Sequence, residues 1–313
     1  MIRILAIVGS TASGKSALAL SLAKQWGGEI VSCDSMQIYR QMDIGTAKPT
    51  AEERAAVRHH LIDIADPHEP FSCADYVSLA TRAIEDCAAR GRLPIVCGGT
   101  GLYLDALLRK NDFEPNTSDA SVRSELTAWA QTAGVAAVWQ ELARIDPESA
   151  AATHPNNVKR VIRALEIYRV SGFTKTELDR RSREGGMRYD ACVIGLRYPD
   201  RNLLYRRIDC RVDEMLRRGL VEETEMLWQA GVFEANQTAA QAIGYKELLP
   251  YCRGEASLAE AAEELKRATR RYAKRQITWF SAKDYVRWLD VEDDSKKTFE
   301  EIVNNASELF QIF

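Results

Sequence analysis

The stretch LAIVGSTASGKSALALSLA, residues 5–23, joins an apolar run to a helix-forming run through Gly9-x-x-x-x-Gly14-Lys15-Ser16. Glycines let such a loop turn its N–H groups inward on an oxyanion, and the helix that follows adds the partial positive charge of its N-terminus. That only works between a strand and a helix, so the start of the chain is committed to an α/β sheet. Gly9, Ser10, Thr11, Ala12, Ser13, Gly14, Lys15 and Ser16 form the candidate diphosphate cradle. Lys15 brings a mobile positive charge and Ser16 a hydroxyl able to hold Mg²⁺. The loop implies a bound diphosphate or triphosphate without saying whose.

Further apolar runs predict buried parallel strands at 2–8, 29–33 and 93–98, with another at 59–66. Helices are expected at 15–26, ended by Gly27 and Gly28, and at 73–90, stopped by Gly91. The alternation means a P-loop NTPase-like parallel sheet with helices on both faces and sites beyond the strand C-termini. From 116 to 190 strand signals vanish and helical periodicity takes over, broken at Pro147, Pro155 and Gly172. Residues 191–198 then read as a returning strand, 200–280 as mostly helical, 285–291 as a last strand and 295–312 as a closing helix. The expected organisation is a core of 1–115 plus 191–313 interrupted by a helical insertion at 116–190.

Seven scattered cysteines without a Cys-x-x-Cys pair argue against a disulfide framework or zinc knuckle and for a reducing compartment. No apolar run approaches the roughly 20 residues of a membrane span, and MIRILAIV runs straight into the loop as a first strand, so a cytoplasmic protein without a membrane partner is expected. Net charge is −3, so any nucleic-acid contact must come from basic residues gathered locally. His59 and His60 lack metal-ligand spacing and read as structural.

Three local patterns accompany the loop. Asp34, in SCDSMQIYR, falls just past a strand; it suits Mg²⁺ binding through water, proton acceptance from a nucleophile, or an Asp-Ser turn capping the next segment. The strand at 93–98 ends in Gly98-Gly99-Thr100-Gly101, where an ATPase commonly has a Mg²⁺ acid. Glycines there permit close approach of a ligand and Thr100 presents a hydroxyl, while Asp63 is a rival acid. On the predicted helix 265–280, Lys266, Arg270 and Lys274 form one row and Arg267, Arg271 and Arg275 the next, with Gln276 on the inward side. No acidic residue interrupts these six, so the face suits an RNA backbone.

In order along nearly the whole chain, GSTASGKS (9–16), DSMQIYR (34–40), DIGTAKP (43–49), HHLID (59–63), GGTGLYLDALL (98–108), DPESAATHPNNVKRVIRALEI (146–167), AIGYKE (242–247) and ATRRYAKRQITWF (268–280) resemble the bacterial tRNA dimethylallyltransferase, or tRNA isopentenyltransferase, family. Ser10 departs from the family's usual proline, and the C-terminal zinc finger of eukaryotic relatives has no counterpart. The resemblance implies that the loop holds dimethylallyl diphosphate, that Mg²⁺ assists, and that the acceptor is the 6-amino nitrogen of the adenosine beside the anticodon in the tRNA anticodon stem-loop. It implies Asp34 as general base, with Ser16 and Asp34 toward Mg²⁺, and Thr100 near the reacting atoms. It also assigns tRNA contacts to Asp34, Ser35, Met36, Gln37, Thr100 and Arg123, to Lys159, Arg160, Val161, Ile162 and Arg163, to Gln241, Ala242, Ile243, Gly244, Tyr245 and Lys246, and to Lys274, Arg275, Gln276, Ile277, Thr278 and Trp279. A monomer is expected. A small-molecule kinase using ATP at the loop, a prenyltransferase acting on free adenine nucleotides, and a non-catalytic RNA-binding switch stand as alternatives.

Overall fold

Strand β1, Arg3–Gly9, is buried from its second residue on and lies in the middle of a six-stranded sheet, paired on one side to β4 (Pro94–Gly98) and on the other to β5 (Asp190–Arg197). With β2 (Glu29–Ser32), β3 (His59–His60) and β6 (Val286–Asp290) the order is β3-β2-β4-β1-β5-β6, parallel throughout. A sheet covered on both faces needs continuous apolar strands, which is why RILAIVG and PIVCG show no alternation. The structure, a computed structural model, describes residues 1–109, 117–291 and 296–312.

The register decides what comes together. Val8 pairs with Gly98 and Ser32 with Cys97, so β1, β2 and β4 end side by side. The chain leaves β1 toward β2 and later adds β5 on the opposite side. Sites form at the C-terminal ends of strands around such a reversal of order. The P-loop, Asp34 and the Gly98–Gly101 turn all follow these three ends.

Helix Lys15–Trp26 buries Leu18, Ala19, Leu22 and Ala23 against the sheet, and Trp26 stacks on Phe310 of helix Lys296–Ile312 at 5.1 Å between ring centres. Helix Cys73–Ala89 starts with a reciprocal Ser72–Asp75 capping box, as helix Leu258–Ser281 does with Ser257 and Glu260. A second apolar cluster gathers Ile38, Tyr39 and Met42 with Leu220, Phe233, Tyr245 and Leu265. The expected strand at 59–66 is only two residues long, because Leu61 and Asp63 take positive φ of 62° and 59° and break the ladder.

The chain divides into two compact units, Met1–Asp105 with Tyr189–Phe313, and Ala106–Arg188. The boundary expected at 115/116, like residue 295, lies outside the described residues. The second unit consists of helices whose core comes from Leu126, Val138, Leu142, Val161 and Leu165. Gly172 closes helix Val158–Ser171 in the left-handed conformation, and Pro147 opens Pro147–Ala151.

At the start of β2, Glu29 is bound through both oxygens by Arg90, with His60 Nε2 2.7 Å and Cys87 Sγ 3.4 Å away. An ion pair, rather than a bound cation, therefore satisfies this buried carboxylate. The Arg90 guanidinium holds its pKa down at about 2 against an ordinary 4.5, with smaller help from His60 and Cys87 and opposed by burial. A depressed carboxyl contributes stability above its unfolded pKa and loses it as pH falls through the folded one. The stability difference between the wild type and Glu29→Gln is expected to be largest above about pH 4.5, on the order of 2–3 kcal/mol, and to vanish toward pH 2. Urea titrations across that range measure it.

Candidate active site

The P-loop closes on itself. Ser10 O accepts from Ser13 N and from Lys15 Nζ, both at 3.3 Å, and Ala12 adopts a positive φ of 59°. Gly9 is required: a Cβ there would lie 2.9 Å from both Leu196 O and Ser13 Oγ. Ser13 Oγ is buried without a hydrogen-bond partner among the described residues. Loss of solvent around the Lys15 amine pushes its pKa below the ordinary lysine value, opposed by Cys97 and Asp34 and reinforced by Arg211. Such an amine gains more from a polyanion than a solvated one does.

Gln276 locks the loop to the neighbouring turn. Its Oε1 accepts from Thr11 N at 2.8 Å and its Nε2 donates to Gly99 O at 3.0 Å. The inward polar residue anticipated on this helix thus meets buried backbone, and one loop N–H faces protein. The glycines at the end of β4 have the same explanation. A Cβ on Gly98 would sit 2.0 Å from Cys33 O, one on Gly99 2.1 Å from Gln276 Nε2, and one on Gly101 2.2 Å from Trp279 Cδ1. Close packing of the chain's own atoms thus accounts for these glycines, while Gly98 also lines the cavity that Lys15 and Asp34 line.

Asp34 follows β2 in a turn that its own carboxylate caps, Oδ1 accepting from Met36 N at 2.9 Å and Gln37 N at 3.4 Å. The turn reading and a chemical role are compatible, since Asp34 still lines a cavity of about 510 Å³. Thr100 Oγ1 accepts from Ser35 N at 3.0 Å and donates to Ser35 Oγ at 3.4 Å, so its hydroxyl stitches the β4 turn to the β2 turn and is not part of the cavity wall.

That cavity belongs to the first unit and brings together predicted residues from four separate stretches of the chain. Thr11, Lys15 and Ser16 form one part of its wall, Asp34–Gln37 another, and Gln241, Ala242, Ile243 and Lys246 a third, with Arg275 and Gln276 beside them. Ala12, Ser13 and Gly14 line an adjoining cleft that shares Lys15 and Ser16. Gly244 and Tyr245 lie outside the cavity wall, and Tyr245 is fully buried.

Sequence reading missed three residues here. Arg207 Nε donates to Ala12 O at 2.9 Å, and Arg211 lines both the cavity and the cleft. Loss of solvent pushes the Arg211 pKa down, while the Asp34 charge acts in the opposite sense. Tyr272 is the third; burial and then the Asp34 charge push its hydroxyl above the ordinary range, and Arg275 lies 5.5 Å from its ring centre. The available signal was the i, i+4 spacing of Arg207 and Arg211 on one helix face.

Other expectations change in the tertiary setting. Asp63 is bound by Lys48 at 2.5 Å and Arg54 at 2.7 Å, which removes it as a rival metal acid. The basic face is largely neutralised: Lys266 pairs with Asp213, Arg270 with Asp209, and Arg267 and Arg271 with Glu264. Among the described residues, Lys274 and Arg275 carry no ion pair, and both are exposed. Thr278 and Trp279 are exposed as well, whereas Ile277 packs against the sheet core. In the helical unit Lys159 and Arg160 are exposed, but Val161 and Ile162 are core side chains. Arg123 and Arg163 both grip the buried Glu166, at 2.9 and 3.0 Å.

A family model, IPP transferase, matches residues 37–283. The chain is 47% identical to the tRNA dimethylallyltransferase of Caldanaerobacter subterraneus, covering 98% of this chain and 97% of that one, and 48% identical to the protein of that name from Halalkalibacterium halodurans, covering 96% of each. Among solved structures, it is similar to the tRNA isopentenylpyrophosphate transferase of Bacillus halodurans, with a TM-score of 0.73, 45% identity and coverage of 99% and 97%. It is also similar to a eukaryotic dimethylallyltransferase acting on tRNA, with a TM-score of 0.82, 30% identity and coverage of 98% of this chain and 77% of that one.

Proposed function

The chain belongs to the IPP transferase family, and on that premise we propose that it acts on tRNA as a dimethylallyltransferase, taking the group from dimethylallyl diphosphate. The acceptor is the 6-amino nitrogen of the adenosine beside the anticodon. The observation that carries the reading is one cavity into which Lys15 of the phosphate loop, Asp34 and a wall of Gln241, Lys246 and Arg275 all open. At about 510 Å³ it is within the range of pockets that enclose a small ligand.

The adenine nitrogen attacks carbon 1 of the allyl group, forming the C–N bond as the C–O bond breaks and its electron pair leaves with pyrophosphate. The proton lost from nitrogen passes to the Asp34 carboxylate. An aromatic amine is a weak nucleophile, so a general base is worth about 10²–10⁴-fold, or roughly 3–5 kcal/mol of barrier. Charge gathers on the leaving diphosphate, so Lys15, Arg211 and the loop N–H groups favour the transition state over the ground state. The Ser13 hydroxyl, buried without a partner among the described residues, supports an oxyanion in the loop.

Ser16 and Asp34 supply hard oxygen donors to the same cavity. Mg²⁺ keeps several waters and takes few protein ligands beside a phosphate, so this donor set fits it. When bound, it supplies charge neutralisation on the diphosphate.

Lys274 and Arg275, without an ion pair among the described residues, are the basic-helix residues best suited to RNA phosphates. Lys274→Ala with Arg275→Ala is expected to weaken tRNA binding and to reduce the slope of log K against log salt by about 1–1.5. Filter binding between low and moderate salt measures this, and an unchanged slope would return the face to solvent.

The reading itself is tested by incubating the protein with dimethylallyl diphosphate, Mg²⁺ and either unmodified tRNA, AMP, or ATP with candidate acceptors. A gain of about 68 Da on tRNA alone supports it. Phosphate transfer from ATP without prenylation would end it, and prenylation of free AMP would make the acceptor a nucleotide.

A further inference from the structure

Three consecutive backbone N–H groups, those of Asp43, Ile44 and Gly45, converge on one carboxylate. Glu223, in the first turn of helix Leu220–Gln229, accepts them at 3.1, 2.9 and 3.0 Å. Successive N–H groups turned to one side form a concavity that favours an anion, and here a side chain from a distant helix fills it. The same carboxylate accepts from the Tyr245 hydroxyl at 2.7 Å. The Tyr245 ring in turn occupies the space beside Gly45: a Cβ there would lie 2.5 Å from its Cζ.

The segment held in this way leads to the chemistry. Thr46 O and Ala47 O both accept from Gln37 Nε2 at 3.2 Å, and Gln37 N donates to Asp34 Oδ1. Gly45, Thr46 and Ala47 line the cavity that Asp34 lines, whereas Glu223 does not.

We propose that Glu223 is a positioning residue for the acceptor side of the site: its carboxylate sets the backbone of residues 43–47, which through Gln37 sets the turn carrying Asp34. A charged acceptor is needed, because an amide offers one oxygen and would turn its NH₂ toward N–H donors. The inference rests on the tRNA-prenylation reading, and the unaltered protein assayed in parallel tests that reading separately.

The experiment compares wild type, Glu223→Gln and Tyr245→Phe by steady-state kinetics with tRNA, by calorimetric binding of inorganic pyrophosphate without tRNA, and by thermal midpoint. For Glu223→Gln, KM for tRNA is expected to rise and kcat to fall, lowering kcat/KM by about tenfold or more, the loss of a charge-assisted hydrogen bond. Pyrophosphate affinity should stay within about twofold, because the phosphate loop hangs from β1 and Gln276 instead. Tyr245→Phe keeps carboxylate and ring and should show the same split at roughly 2–5-fold; it decides the matter if Glu223→Gln fails to fold. Unchanged kinetics, or tRNA and pyrophosphate parameters falling together with the thermal midpoint, would overturn the proposal.

Discussion

Replacing Asp34 by Asn is expected to lower the rate of prenyl transfer at least about 100-fold while tRNA still binds. The substitution is clean for a structural reason. Oδ1 caps the turn by accepting from Met36 N and Gln37 N, and the asparagine carbonyl can take over both bonds. Its NH₂, where the second carboxylate oxygen was, is a donor only, its lone pair delocalised into the carbonyl, and takes no proton. Single-turnover product formation, followed by mass and set against filter binding of tRNA, separates the two effects. Near-normal turnover would remove Asp34 from the base role.

Removing the charge of Lys15 is the other large effect. Lys15→Met should cost about 10²–10³-fold in kcat, the scale of one lost donor to a developing oxyanion, and should weaken pyrophosphate binding. The pH dependence follows from the lowered pKa of the amine. Burial disfavours the charged form, so the neutral amine appears at lower pH than in a free lysine, and pyrophosphate affinity should fall as pH rises through that lowered value. The same sign makes the free protein gain stability as pH rises toward the unfolded value of about 10.4. Calorimetry at rising pH up to the ordinary lysine value should show the alkaline loss in the wild type and none of it in Lys15→Met. An alkaline loss that persists in the variant would assign it to another group.

Legibility in the sequence varied with the range of the interaction. β1, β2, β4, β5 and β6 fall within one or two residues of their expected bounds, because each is an apolar run in a sheet buried on both faces. The run at 59–66 was misjudged: its apolar residues are real, but Leu61 and Asp63 sit at positive φ, which periodicity does not encode. The phosphate loop was legible because all its donors are consecutive. Asp34 and Thr100 stood out as strand-end residues, yet the pairing of Thr100 with Ser35, 65 positions away, was not visible. The basic helix shows the limit plainly. Its six cations are evident along the helix, but Asp209 and Asp213, which neutralise two of them, come from another helix.

By itself the chain determined its α/β class and the phosphate loop and singled out Asp34 as an acid just past a strand, since these rest on patterns within about 20 residues and on backbone chemistry that any neighbours must respect. Tertiary structure alone decided which donors face the cavity. The parallel register that ends β1, β2 and β4 together brings Lys15 and Asp34 to one space; packing of helix Arg201–Arg217 adds Arg207 and Arg211, and helix Leu258–Ser281 places Gln276 against Thr11 and Gly99. The physical reason is that a hydrogen bond or ion pair depends on distance in space. Which of many equivalent polar side chains is left free for a ligand is known only once every other one has found its partner.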